Sequence, residues 1–211
     1  MPTIAGRKAL VRVPGTALTL TAEAAANSGD NKTYRITNTA KRILDPQATI
    51  TVLVAAVATG EVYTLNRLRG EVVFATVNAG RGVVTITGSY LPMASAAATK
   101  SYAYSLAASQ LDVTTFDSAN TNVGFIDRIQ GTFDVSGSLG LRWSSDFALR
   151  DALLNAPVIV IEFYSDRAAV RDLACWALLN KRGLESAIDS STEITVEFQG
   201  TADRDGIAAS L

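Results

Sequence analysis

The chain has 211 residues, 48% of them hydrophobic and 18% charged, with 19 Lys and Arg against 20 Asp and Glu for a net charge of −1. A chain of this length buries roughly 70% of its unfolded surface and needs no staples, and its one cysteine, Cys175, excludes an intrachain disulfide. Basic residues cluster no further than the pairs Arg7-Lys8, Lys41-Arg42 and Lys181-Arg182, which argues against a sequence-independent grip on nucleic acid.

The N-terminal run "MPTIAGRKALVRVPGTALTLTAEAAA" has the outline of a signal peptide, but Arg12, Pro14 and three threonines break its apolar core. We read it as mature sequence, an N-terminal arm over residues 1–20 with a strand at "KALVRV" that Pro14-Gly15 stops. No apolar run approaches the roughly 20 residues of a bilayer span, so the expectation is a soluble protein made in a cytosol. "AEAAANSGDNKT" reads as a small-residue linker entering a turn. "YRITN" and "ATITVLV" read as strands, the second with Ile50, Val52 and Val54 on one face and Thr49 and Thr51 on the other, and Asp45-Pro46 marks the turn between them.

"EVYTLNRLRGEVVFA" is strand-like at Tyr63 and Leu65 and again at Val72 and Phe74, with Gly70 between. "NAGRG" is a turn, "VVTITGSY" a strand closed by Leu91-Pro92, and "TKSYAYSLA" a less regular strand. In "TFDVSGSLGLRW", residues 132–143, the odd positions Phe133, Val135, Gly137, Leu139, Leu141 and Trp143 are apolar or Gly, and the even ones polar or Gly. That period of two predicts a ribbon longer than the usual five or six residues of a strand, buried on one face and wet on the other. "SSDFALRDALLNAP" predicts a helix over about 145–155: Ser144 or Ser145 caps it, Asp146 sits in the first turn, Phe147, Leu149, Ala152 and Leu153 form a stripe, and Pro157 ends it. "VIVIEFY" is apolar on both faces and predicts a covered strand. "DLACWALLN" is open between strand and helix, "TEITVEFQG" is a strand, and "TADRDGIAASL" is a polar, loose terminus. The fold class is α+β and predominantly β, a single domain with an antiparallel sandwich or partial barrel and one flanking helix.

Chemistry is scarce. The chain contains no histidine, which removes the commonest general base and the commonest metal ligand. No Ser-His-Asp or Cys-His site can be assembled, and neither GxxxxGK[ST] nor GxGxxG occurs. Cys175 sits among apolar neighbours as a small buried hydrophobe does. Asp203, Asp205 and Gly206 match part of a calcium loop, but Thr201 stands where its first acid belongs and its twelfth position falls beyond Leu211. Carboxylate pairs such as Asp127 with Asp134 and Glu193 with Glu197 read as solvated strand faces rather than as glycosidase acids. The expectation is therefore no catalytic residue, no cofactor and no metal.

The succession "VYTLNRLRGEVVF", "GVVTITGSYLPM", "LDVTTF" and "IDRIQGTFDVSGSLGLRWSSD", leading through a short helix into "VIVIEFY", resembles the major tail tube protein of long-tailed bacteriophages over about residues 60–200. The resemblance implies a structural virion protein that forms stacked hexameric rings with itself. Six subunits would contribute strands to a continuous inner β-barrel, with the helix outside. It implies a tape-measure protein, tail-tip or baseplate proteins and a tail terminator as partners, and DNA in transit rather than bound. The subunit would occupy the virion tail after assembly in the host cytoplasm.

On this reading Asp134, Ser136 and Ser138 line the lumen, while Phe133, Val135 and Leu139 pack beneath Phe147 and Leu153 of the helix. The loop 55–61, with Val57 and Glu61, and the C-terminal arm 200–211, with Arg204 and Asp205, are the expected ring-to-ring contacts. A host-surface-binding β-sandwich, an adhesin or baseplate module, is the alternative, and a carboxylate hydrolase the third and weakest reading.

Overall fold

The computed structural model describes residues 9–96, 99–112, 128–142, 158–185, 193–203, 205–206 and 209–210. Among them are fifteen strands and one 3-10 turn, Thr39–Lys41. The strands are β1 (Leu10–Pro14), β2 (Leu18–Asn27), β3 (Thr33–Ile36), β4 (Thr51–Val54), β5 (Val57–Ala58), β6 (Tyr63–Asn66), β7 (Glu71–Phe74) and β8 (Val84–Tyr90). They continue with β9 (Met93–Ser95), β10 (Thr99–Asp112), β11 (Arg128–Arg142), β12 (Ile159–Tyr164), β13 (Leu173–Glu185), β14 (Glu193–Gly200) and β15 (Ala209–Ser210). The protein is thus predominantly β and antiparallel; the helix expected at 145–155 lies outside the described residues.

The strands form two sheets. One runs β10-β11-β14-β13-β12-β1-β9 with β15 attached to β13, and the other runs β5-β4-β8-β2-β3-β7-β6. Each has its own apolar core. Val11, Val135, Leu139, Ile161, Phe163, Cys175, Val196 and Phe198 fill the first. Leu20, Ile36, Val52, Val72, Phe74, Val84 and Ile86 fill the second. A third cluster, Ile43, Leu68, Val160, Ala174 and Trp176, sits where the sheets meet, because β12 and β13 bury both faces. Ile159, Ile161 and Phe163 point to the first core while Val160 points to the junction. This is the two-sided burial that "VIVIEFY" predicts.

Two expectations need correction. "AEAAAN" is no linker but the second half of β2, which pairs with β3 and β8. Its small residues support a strand because cross-strand partners, not propensity, decide it. The strand predicted at "KALVRV" is β1, held between β12 and β9. The terminus "TADRDGIAASL" is docked rather than loose: Ala209 and Ser210 pair with Cys175 and Ala174, and Asp203 is buried. The ambiguous "DLACWALLN" is strand, opening β13.

Candidate assembly surface

The longest pairing in the molecule is β10 with β11, antiparallel from Thr99↔Leu141 to Asp112↔Arg128, with irregularities between Thr99 and Ser101 and between Ala108 and Gln110. β14 joins β11 only from Ser136 to Arg142. Among the described residues, β11 from Arg128 to Val135 therefore has β10 as its sole partner, and a two-stranded ribbon runs beyond the sheet. β10 is the edge of that sheet, and its pairing is with β11 alone among the described residues.

The two faces of the ribbon differ as the period of two predicts. On the inner face Tyr102 lies opposite Leu139, Tyr104 opposite Gly137 and Leu106 opposite Val135. Tyr102 and Tyr104 stack with centroids 6.4 Å apart, and both pack on Phe163, at 5.2 and 5.0 Å. The Tyr102 hydroxyl donates to the Tyr164 carbonyl at 3.0 Å. Burial, helped by the charge of Asp172, pushes the Tyr102 phenol above its usual range. Cover then runs out along the strand: Tyr104 is 38% and Leu106 44% exposed. Gly137 is required here, since a Cβ would stand 2.3 Å from the Ala103 carbonyl oxygen and 2.6 Å from the Phe198 ring.

The outer face is small and polar. Ala103, Ser105 and Ala107 of β10 lie opposite Ser138, Ser136 and Asp134 of β11, and Ser136 and Ser138 lie opposite Gln199 and Glu197 of β14. Asp134 and Ser136 are exposed and Ser138 is half-buried, whereas Val135 and Leu139 are buried. The alternation read from residues 134–139 is thus the arrangement found. Phe133 pairs with Ala108 along the backbone; Phe147, Leu153 and Arg204 lie outside the described residues.

A second exposed surface caps one end of the seven-stranded sheet. Val57, Val62, Val77 and Val83 are 68–75% exposed there, in β5 and in the loops that follow β5 and β7. The loops are tied together rather than loose. Glu61 accepts from Arg81 Nη2 at 2.5 Å and from the Thr76 hydroxyl at 3.3 Å, and the Arg81 guanidinium lies 3.8 Å over the Phe74 ring. That contact with Arg81 holds the Glu61 carboxyl below its usual range. The β4–β5 turn places Ala55 at φ 51° and Ala56 at φ 64°, in the left-handed region that favours Gly and Asn.

Asp205 is engaged within the chain. It accepts from Arg67 Nε at 2.6 Å, while Arg67 Nη1 donates to the Asp45 and Ala48 carbonyls at 2.7 and 3.1 Å. Sequence reasoning missed Arg67, which is only 2% exposed, because nothing local marks a buried arginine whose partner stands 138 positions away. Cys175 is buried and its thiol is pushed up to about 12 by that burial. No protein-family model matches the chain, and no curated protein matches it.

Proposed function

We propose that this chain is a self-assembling structural subunit of a phage tail tube. Six copies would close a ring through the β10–β11 ribbon, and rings would stack into a hollow conduit for DNA. The observation that supports this most is the edge strand. β10 runs 14 residues, and Ala103 through Ala107 are exposed on both faces. A long edge of unpaired backbone is a template for another chain, and a repeated head-to-tail contact that closes by rotation makes a ring.

In such a ring the wall facing the channel is the outer face around Asp134, Ser136 and Ser138, which is small and offers no described basic side chain to hold a phosphate. The exposed valines around Val57 serve as the apolar ring-to-ring contact, repeated by translation. A helix at 145–155 packing outside the barrel, and the tape-measure, tip and terminator partners, belong to the same reading.

The test is negative-stain electron microscopy of the purified protein over a concentration series, with and without a tail-tip initiator. Rings or hollow tubes are expected. Monomers alone at every concentration would end this reading and favour the surface-binding module.

A further inference from the structure

A cavity of about 510 Å³ opens where the two sheets meet, lined by Arg12, Arg35, Arg42, Arg69 and Arg171 together with Glu162. Arg12 comes from β1 and Arg171 from the β12–β13 connection of one sheet; Arg35 comes from β3, Arg42 from beyond the 3-10 turn and Arg69 from the β6–β7 turn of the other. The cavity thus exists only when both sheets are in place. It shares no lining residue with the ribbon face around Asp134.

Four of these guanidinium groups are held in position by the chain itself. Arg42 Nε donates to the Ile36 carbonyl at 2.8 Å. Arg35 Nε donates to the Arg69 carbonyl at 3.3 Å and lies 3.4 Å from Glu71 Oε1. Arg171 Nη1 donates to Glu162 Oε1 at 2.8 Å and to the Leu68 carbonyl at 3.3 Å. Arg12 lies 5.0 Å over the Tyr164 ring. Glu71 lies 3.4 Å from Arg35 and 3.9 Å from Arg69, and Glu162 pairs with Arg171. Burial first, and then the charge of Arg42, with Arg69 and Arg171 acting the same way, hold Arg35 below the usual arginine range. Like charges are therefore crowded in a chain whose net charge is −1.

Arg35 and Arg42, anchored through Nε, keep their terminal nitrogens for the two-pronged geometry that matches a phosphate or carboxylate, whereas Arg171 spends both of its terminal nitrogens on Glu162 and the Leu68 carbonyl. Two such forks, beside the positive charges of Arg12, Arg69 and Arg171, suit a tetrahedral oxyanion with more than one charge. The side chains of Arg35 and Arg69 are 36% and 42% exposed, which leaves an approach from solvent. We propose that this cavity binds a phosphate group and that the bound group ties the two sheets together by neutralising the arginines contributed from each. The site does not depend on the tube reading.

The experiment is isothermal titration calorimetry of the full chain with inorganic phosphate, pyrophosphate and ATP, ionic strength being held constant with sodium chloride. One saturable site per chain is expected, tighter for pyrophosphate than for phosphate. Binding should be at least about tenfold weaker in Arg42→Gln and in Arg12→Gln, the scale of one charge-assisted hydrogen bond. Lys32→Gln, in the β2–β3 turn and outside the cavity lining, should bind as the unaltered chain does. Binding of ATP that competes with pyrophosphate identifies a nucleotide as the source of the phosphate; pyrophosphate binding without ATP binding identifies an inorganic ion. Heats of dilution alone for all three anions overturn the proposal. So does an affinity unchanged in both variants, each shown to be folded by circular dichroism, and Arg12→Gln carries the comparison if Arg42→Gln does not fold.

Discussion

Ala55 and Ala56 close a two-residue hairpin with both φ angles positive, 51° and 64°, a geometry that costs an L-residue with a Cβ about 1 kcal/mol or more. The double variant Ala55→Asn, Ala56→Gly should gain about 1–2 kcal/mol, read as a higher urea midpoint at unchanged slope. Asp30 stabilises the neighbouring turn in a different way. Its carboxylate accepts from the Thr33 amide at 2.7 Å, the Thr33 hydroxyl at 2.7 Å and the Lys32 amide at 2.9 Å. These bonds, the Thr33 amide first, hold its pKa near 2 instead of 3.8. A depressed carboxyl stabilises the folded state above its unfolded pKa and loses that contribution as pH falls through the folded value. Asp30→Asn should therefore melt below the unaltered chain at neutral pH, and the two melting curves should converge as pH falls from about 4 towards 2. A constant gap across that window would refute the assignment. Both effects are visible only once the turns are placed, for "AAVA" and "DNKT" carry no mark of φ sign or bond direction.

At the scale of the element, the β10–β11 ribbon is held at its root by Tyr102, Tyr104 and Phe163, and this cover has thinned by Leu106. Leu106→Lys places a charge on the exposed part of the edge, the device by which natural sheets prevent edge pairing. Because Leu106 is 44% exposed, stability should change by no more than about 0.5 kcal/mol, while ring or tube formation under the microscope should be lost. Assembly unaffected by the lysine would mean that β10 is not the joining edge.

The strands that the sequence shows plainly are those with one wet face. Entering β4, Ile50 and Val52 are buried and Thr51 exposed; in β14, Val196 and Phe198 are buried and Thr195, Glu197 and Gln199 exposed. β13 is not legible in this way, because Leu173, Cys175 and Ala177 enter one core and Ala174 and Trp176 the junction, leaving no alternation to read. β15 is too short to carry a period, and β2 is written in alanines.

For the molecule as a whole, the junction decides whether the two sheets behave as one. Leu68 is fully buried in the cluster with Ile43, Val160 and Trp176, and its carbonyl receives Arg171 from the other sheet. Arg67 beside it takes Asp205, which follows β14. Leu68→Ala should cost about 2–5 kcal/mol and lower the stability of both sheets together. In a Trp143→Phe background, Trp176 fluorescence reports the junction and far-ultraviolet circular dichroism reports the sheets. The two unfolding curves should coincide when Leu68 is present and shift together in the Leu68→Ala variant, as one cooperative unit requires. Separate transitions would show that each sheet stands on its own core.

By itself the sequence determined the β class and the two-faced ribbon, because the strand period of two is local and each residue's face follows from its neighbours' parity. It also determined that no histidine chemistry exists here. Only the tertiary structure decided which strands are covered twice, that the C-terminal segment docks through Asp205, and that the arginines at positions 12, 35, 42, 69 and 171 surround one cavity. None of these arginines, apart from the pair Lys41-Arg42, belongs to a basic run in the chain. Charge density in space depends on long-range strand register, and register is set by pairing partners far away in sequence rather than by anything within reach of a local pattern.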